Sequence, residues 1–446
     1  MKYSVITFGC RVNQADSLGF EEELRAAGAV EAQPRDADLV IVNTCSVTAT
    51  ADQGARQTIR RVARDNPNAR IVVTGCYATR RPGDIGALPN VARVVTNDDK
   101  PQLIQLLKKT ETAKSAENAE RFFFSADSAR SAVPDFGPGP CGAAIEPGVA
   151  GRTAFTLRVQ TGCAEPCSYC IIPTTRGAPR SVAVEAVLHE VARVAAAGFK
   201  EIALTGVHLG SYGRDLMPLC SLLDLLRALE ETEPIAPLSG APSRVLFRIS
   251  SLEPMDCSRE LVDLVSTSDR FAPHFHLPLQ HASERVLAAM RRPYTIDYYA
   301  SLVSDIRARI PHASIGTDVI VGFPGETDDD FEELAAYLER SPLTHIHVFP
   351  YSDRPGTPAS TMGGRAAGTV IRERARRTRE IGARLSDRFR ASQVGTTHRA
   401  LTLEDGSVVV TGNYLKLRIP PGQARNEWVT VMVTAHDTGD VMLAAQ

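Results

Sequence analysis

No apolar run in this 446-residue chain approaches the ~20 residues that a membrane-spanning helix requires. The opening MKYSVITFGC carries one lysine and then a strand-like run too short for the apolar region of a signal peptide. An excess of charge of one sign is also missing. Lys and Arg number 50 against 52 Asp and Glu, for a formal net charge of −2. The chain as a whole therefore does not advertise nucleic-acid binding, and any basic surface has to be local. Its 43% hydrophobic and 23% charged residues exclude a disordered chain and point to folded domains, about two to four at this length. Nine cysteines without a recognisable leader argue for a reducing compartment and metal ligation rather than disulfides. The expectation is a cytoplasmic protein with no membrane partner.

Cys163, Cys167 and Cys170 lie in the run GCAEPCSYC. Three thiolates in a CxxxCxxC spacing can ligate three irons of a 4Fe–4S cube. No fourth cysteine is adjacent, so one iron stays open to a small molecule. A zinc ribbon would need a second paired CxxC at a distance, and a redox dithiol needs only two cysteines.

With Tyr169 before the last cysteine, this run resembles the signature of the radical S-adenosylmethionine (SAM) enzymes. The flanks, Arg158-Val-Gln-Thr-Gly-Cys and Cys170-Ile-Ile-Pro-Thr-Thr-Arg-Gly, are similar to a narrower family, the methylthiotransferases. The resemblance implies a cluster whose open iron holds the amino and carboxylate groups of SAM, with an electron from the cluster cleaving it to a 5′-deoxyadenosyl radical. The cofactor carries that chemistry, and the protein supplies geometry and exclusion of water.

Residues 1–128 alternate β-branched runs with helical stretches: Tyr3–Gly9, a helix near Asp16–Ala27, Leu39–Asn43, a helix near Ala51–Asp65, and Ile71–Gly75. This order predicts βαβ units and an open parallel α/β sheet covered on both faces. Cys10, Cys45 and Cys76 each follow one of the three strands, at the carboxyl edge where open α/β sheets bind ligands. They are either ligands of a second cluster or three buried apolar thiols. Methylthiotransferases carry such a three-cysteine N-terminal domain, and the resemblance implies an auxiliary 4Fe–4S cluster that holds the sulfur to be transferred. Residues 129–150, rich in Pro, Gly and Ala, read as a linker. Cys141 within it, Cys220 and Cys257 are expected to be non-ligands.

Residues 151–390 show six strand-like segments separated by helices: Phe155–Gln160, Glu201–Thr205, Val245–Ile249, His274–Leu279, Ile315–Val321 and His345–Phe349. Helices are expected at Val184–Ala197, Leu219–Leu229, Asp297–Ile310 and Asp329–Arg340. Six units are too few for an eight-fold barrel and suggest an open (β/α)6 partial barrel with its site at the carboxyl ends of the strands. The loops there offer Gly206, His208, Ser250, Glu253, Gln280, Gly322, Gly325 and Glu326 as SAM-binding candidates. Glycines permit close backbone approach, and the polar side chains offer hydrogen bonds. By resemblance, the loop from Thr205 to Gly213 lies against the methionine part of SAM, and Gly322, Gly325 and Glu326 match the family's Gly-Phe-Pro-Gly-Glu turn. His208, His276 and His281 could tune a cluster or move a proton, but hydrogen-bonded structural roles are expected. No general acid or base is assigned.

Arg372–Arg390 holds eight arginines among acidic residues, either a solvated helix with i,i+4 ion pairs or a phosphate-contacting stripe. Residues 391–446 are rich in short strands and predict a small antiparallel β-barrel. The run Gly412-Asn-Tyr-Leu-Lys-Leu resembles part of the family's RNA-binding TRAM domain. Thr7-Phe-Gly-Cys-Arg-Val-Asn-Gln and Thr205-Gly-Val-His-Leu-Gly-Ser-Tyr-Gly look most like the branch that acts on threonylcarbamoylated adenosine of tRNA. The expected partners are then the tRNA anticodon stem-loop, whose unstacked bases can enter a pocket, and a reduced electron donor such as flavodoxin or ferredoxin. Other branches act on isopentenyladenosine of tRNA or on an aspartate of a ribosomal protein. An RNA-binding protein with non-catalytic clusters is the reading from another class.

Overall fold

The structure, a computed structural model, describes residues 1–107, 153–232, 244–435 and 442–445. The expected linker 129–150 and its Cys141 lie outside the described residues. The chain forms two compact units. One is the chain up to Ile145 with Thr161–Ala164 and Ile171–Ala178, and the other is the remainder.

The first unit is built on five parallel strands: β1 (Lys2–Thr7), β2 (Val30–Glu31), β3 (Leu39–Thr44), β4 (Arg70–Gly75) and β5 (Val91–Val95). Their order in the sheet is β2-β1-β3-β4-β5. Every residue of β3 is buried, as a central strand covered on both faces requires. The two-residue period sends Val40, Val42, Ile71 and Val73 into one core and Ile41 and Val72 into the other. Helix Ala49–Asp65 covers the first face, capped by Thr48, whose hydroxyl accepts from Ala51 N–H.

Helix Arg11–Ala26 starts well before the expected Asp16, with Cys10 as its N-cap residue. Its first turns bury Asn13, Asp16 and Ser17, and polar residues facing inward hide the apolar period that would reveal a helix. Strands β2 and β5 escaped the sequence reading because both are sheet edges, one of two residues and the other mostly half-exposed.

All six expected strands of the second unit are present. Phe155–Arg158, Glu201–Thr205 and Leu246–Ile249 form one parallel sheet, and His274–His276, Ser314–Val321 and His345–Pro350 another. Phe247 joins them, donating to Arg270 O at 2.7 Å and accepting from Ala272 N–H at 2.8 Å. The result is the open (β/α)6 arrangement. The expected helix at Leu219 begins instead at Leu222, because Ser221 caps it in a reciprocal box with Asp224 and Leu219 stays exposed. Helix Gly368–Ser392 packs against the last strand, with the Cβ position of Gly382 3.4 Å from Ile346 Cβ.

Five strands close the C-terminal barrel: Thr397–Leu403, Val408–Thr411, Lys416–Arg418, Trp428–Ala435 and Met442–Ala445. Ala400, Val409, Leu417, Val431, Val433 and Met442 fill it. Four of its pairings are antiparallel, as expected, but Lys416–Arg418 runs parallel to Met442–Ala445. That seam is a correction to an all-antiparallel barrel, since strand direction across a closing seam follows from connectivity and not from strand pattern. Among the described residues no helix is long and apolar enough to cross a membrane.

Candidate functional site

In the first unit the cysteines stand at the carboxyl ends of adjacent strands. Cys45 follows β3 directly, Cys76 follows β4, and Cys10 lies just beyond β1. Glycines make this closeness possible. Gly9 has φ +92°, and a Cβ there would meet Cys45 Sγ at 2.6 Å; Gly75 has φ +95°, and a Cβ would meet Thr44 O at 2.2 Å. All three thiols are free. Burial pushes the Cys45 thiol up to about 11, and the neighbouring Cys10 and Cys76 push it the same way against backbone N–H groups of Val47 and Ser46. A thiol whose ionisation is opposed by its surroundings invites a cation, whose charge inverts the local balance. Three convergent soft donors fit three irons of a cluster.

A buried polar network supports these turns. Asn13 Nδ2 donates to Phe8 O (2.8 Å) and Thr44 O (3.0 Å), and Asn43 Nδ2 donates to Asn13 O (2.8 Å). Arg176, from the stretch after the CxxxCxxC run, donates to Asn13 Oδ1 at 2.5 Å and lies 3.5 Å from Asp16 Oδ2. Lys100 Nζ meets the same Asp16 oxygen at 2.6 Å. Burial works against the Arg176 charge, but the thiols of Cys76 and Cys10 and the Asp16 carboxylate outweigh it and raise its pKa. Burial and the nearby Arg176 lower that of Lys100 against the pull of Asp16. Asn97 Nδ2 lies 3.7 Å from Cys76 Sγ and donates to Thr175 O at 2.7 Å. The sequence reading singled out none of these residues individually, although Asn13 and Arg176 stand inside the two runs that carried the resemblance.

Of the CxxxCxxC run, Cys163 belongs to the first unit, and Cys167 and Cys170 to the second. Cys163 N–H donates to Gly177 O at 3.0 Å. The preceding Gly162, at φ +77°, has no room for a Cβ, which would lie 1.9 Å from Ala178 O. Cys170 N–H donates to Cys167 O at 3.1 Å. Arg292 Nη1 lies 3.1 Å from Cys167 Sγ, and its Nη2 pairs with Glu253. Tyr169 packs against the cluster of Val286, Met290, Ile320 and Phe323. All three thiols are half-exposed and outside any disulfide, and it is their CxxxCxxC spacing along the chain that fits a cluster with one open iron.

The SAM-binding candidates fall into distinct settings within the second unit. Gln160 Oε1 accepts from the N–H groups of Val207 and His208, both at 2.9 Å, and a Cβ on Gly206 would come 3.0 Å from that oxygen. His208 Nε2 meets Asp256 Oδ2 at 2.8 Å, and its Nδ1 lies 3.7 Å from Glu165 Oε1. Ser250 Oγ is buried with no hydrogen-bond partner among the described residues. An orphaned hydroxyl at a strand end fits a bound polar ligand. Gln280 takes φ +66°, and its backbone pairs with Asp318 O (2.8 Å) and Ile320 N–H (2.8 Å).

Gly322, Gly325 and Glu326 form a self-contained turn. Glu326 Oε2 accepts from Gly322 N–H (2.6 Å) and Phe323 N–H (3.0 Å), and Oε1 accepts from Arg374 (2.7 Å). Gly325 N–H donates to Gly364 O at 2.9 Å. Burial raises the Glu326 pKa while Arg374 and the two N–H groups pull it back. His281, fully buried, accepts from Ser283 N–H at 3.0 Å. Burial pushes it down to about 4, with Asp330 opposing and Arg374 and Arg285 assisting. Cys257 is buried and pushed up to about 12 by burial and Asp256.

The arginine-rich helix is largely occupied within the protein. Arg374 pairs with Glu326 and Asp328, Arg376 with Glu373 and Glu380, Arg377 with Glu332, and Arg384 with Glu339. Arg388 donates to Ser341 O and Arg390 approaches Asp387 at 3.5 Å. Five of these six arginines are ion-paired and Arg388 is held by a carbonyl, leaving Arg372 and Arg379.

Residues 2–97 match the uncharacterized protein family UPF0004, and residues 157–338 match the radical SAM superfamily. The chain is 35% identical to the threonylcarbamoyladenosine tRNA methylthiotransferase MtaB of Aquifex aeolicus, covering 94% of this chain and 96% of that one. It is 34% identical to the protein of the same name from Bacillus subtilis, over 87% and 81% of the two chains. It is 33% identical to the tRNA-2-methylthio-N(6)-dimethylallyladenosine synthase of Pelotomaculum thermopropionicum, over 90% and 86%. Among solved structures, the radical SAM methyltransferase TsrM of Kitasatospora setae superposes with a TM-score of 0.55 at 17% identity, covering 80% of this chain and 74% of that one. At that identity the likeness is one of fold.

Proposed function

Because the chain belongs to the radical SAM methylthiotransferases, enzymes that transfer alkylthio groups in tRNA, we propose that it adds a methylthio group to carbon 2 of N6-threonylcarbamoyladenosine next to the anticodon, using two SAM and two 4Fe–4S clusters. The observation that carries this reading is the second triad of free thiols, Cys10, Cys45 and Cys76, on adjacent strand ends of a unit distinct from the CxxxCxxC cysteines Cys167 and Cys170. The names of relatives such as that from Aquifex aeolicus support the modified adenosine.

Cys163, Cys167 and Cys170 would hold the cluster that supplies the electron for SAM cleavage, and Cys10, Cys45 and Cys76 the one that supplies sulfur. Around the first, Gln160 draws in the N–H groups that shape the loop Gly206–His208. Asp256 fixes the His208 ring, and Ser250 offers an unclaimed hydroxyl to the ligand. Arg292 places a positive charge on the Cys167 sulfur while orienting Glu253. Around the second, Arg176 and Asn97 direct N–H groups toward the Cys76 sulfur, which would orient it as a ligand. A reduced flavodoxin or ferredoxin is the proposed electron donor.

Mass spectrometry of nucleosides from bulk tRNA tests the proposal. A strain lacking the gene loses the methylthio form of threonylcarbamoyladenosine and regains it on complementation. Loss of the methylthio isopentenyl form instead would move the substrate to the branch of the Pelotomaculum relative. No change in either, in a strain without a redundant enzyme, would defeat the tRNA substrate.

A further inference from the structure

A cluster of imidazoles crowds one face of the second sheet of the (β/α)6 unit. The register sets His276 opposite Gly316, Gly316 opposite His345, and Asp318 opposite His347, so the alternating residues 274, 276, 316, 318, 345 and 347 share a face. Ile346 points the other way, toward the helix Gly368–Ser392. Glycine at 316 makes room for the cluster, since a Cβ there would lie 1.9 Å from His345 Nε2. The rings of His276 and His347 lie 5.3 Å apart, and those of His345 and His347 5.4 Å.

Three donor atoms, one each from His276, Asp318 and His347, lie within 4.8 Å of one another. Asp318 Oδ1 is 3.1 Å from His276 Nε2 and 3.2 Å from His347 Nδ1. Ligand atoms bound at about 2.0–2.2 Å to one metal ion stand about 3.0–3.4 Å from their neighbours in octahedral or tetrahedral geometry. Hydrogen bonding accounts for one side of the arrangement only, where His347 Nδ1 lies within hydrogen-bond distance of Asp318 Oδ1. His276 Nε2 is buried and makes no hydrogen bond, so Asp318 Oδ1 lies close to it without the alignment an N–H would need. Its Nδ1 meets Ser251 Oγ at 2.7 Å. The contact with Ser251 fixes the ring so that Nε2 faces the carboxylate oxygen, an arrangement in which both atoms can serve as ligands to one cation.

We propose that His276, Asp318 and His347 form a mononuclear site for a divalent transition metal, of the two-imidazole, one-carboxylate class that Zn2+ and Fe2+ occupy. Ser251 orients the first ligand from outside the coordination sphere. His347, with 58% of its side chain exposed, leaves the open coordination positions accessible from solvent. No cysteine takes part, so the site stands or falls independently of both thiol triads.

The test uses the full chain with its clusters loaded, stripped of loose metal by a chelator and gel-filtered, then equilibrated with Zn2+ alone. Zinc and iron are counted in the same sample by inductively coupled plasma mass spectrometry. The unaltered chain retains about one zinc in addition to its cluster iron, and His347→Ala and Asp318→Asn each weaken zinc retention about tenfold or more with iron unchanged. His347→Ala, at an exposed position, removes a ligand without opening the core. Equal retention by His347→Ala and the unaltered chain, or none by the unaltered chain at micromolar free zinc, overturns the site. Zinc that follows an iron shortfall rather than the two substitutions belongs to the cysteines and overturns it equally.

Discussion

The two thiol triads reach similar donor sets by opposite routes. Cys163, Cys167 and Cys170 lie within a single turn-rich run, so their proximity is nearly covalent. Cys10, Cys45 and Cys76 are far apart along the chain, and a parallel sheet gathers them at the ends of three adjacent strands. The difference teaches where each site is fragile. The local triad depends on its ligands and their immediate turn, whereas the assembled triad depends on everything that holds three strand ends in register, including Gly9, Gly75, Asn13 and Arg176.

The largest effect should separate the triads by function. Cys167→Ala removes reductive SAM cleavage and about four irons per chain. Cys45→Ala also removes about four irons but leaves SAM cleavage intact while abolishing methylthio transfer. Iron content and 5′-deoxyadenosine formation, measured together, check this. Loss of SAM cleavage in Cys45→Ala would merge the two triads into one site and break the comparison.

Next is Arg176→Ala, which leaves buried Asp16 with Lys100 as its remaining charged partner. It should destabilise the first unit by about 1–3 kcal/mol, read from denaturant unfolding, because buried Asn13 Oδ1 loses its charged donor and Asp16 keeps only part of its compensation. Arg176→Lys should recover part of that loss, since it restores the charge without the guanidinium fork. Gly9→Ala should cost about 1–3 kcal/mol through its positive φ and the collision with Cys45, and should lower iron occupancy of the assembled triad alone.

A pH effect sharpens the contrast from outside both triads. Burial depresses His281 to about 4 from the 6.5 of an exposed imidazole. Between those values the unfolded chain binds the proton and the folded chain does not. Stability from this group is therefore complete above pH 6.5 and is lost as the pH falls toward 4. His281→Asn should flatten the unfolding midpoint across that window. The smallest effect is expected from Arg372→Glu and Arg379→Glu, which should each lower the salt dependence of tRNA association by about one unit of slope if these arginines contact phosphate.

The legibility of the molecule divides along the same line. Six strands of the second unit, and the barrel beyond them, were readable because buried strands alternate with amphipathic helices. The start of helix Arg11–Ala26 was not, because its inward face carries Asn13, Asp16 and Ser17 rather than apolar residues. Leu219 misplaced a helix start because it is an exposed apolar residue next to a cap. Arg292 and Asn97 had no local signal. Each acquires its role only by lying against a sulfur more than twenty residues away in the chain.

The sequence by itself determined the chemistry that short spacing can encode: the CxxxCxxC donor set, the six βα units, and the glycines before Cys10, Cys76 and Cys163. Tertiary structure alone decided which distant groups meet. It placed Arg176 beneath the strand-end thiols, occupied six arginines of the last helix with carboxylates and carbonyls, and set Asp318 between two imidazoles. The reason is physical. Spacing along the chain constrains neighbours through bonds and dihedrals, whereas contact between distant residues is set by the packing of strands and helices that bury a common core.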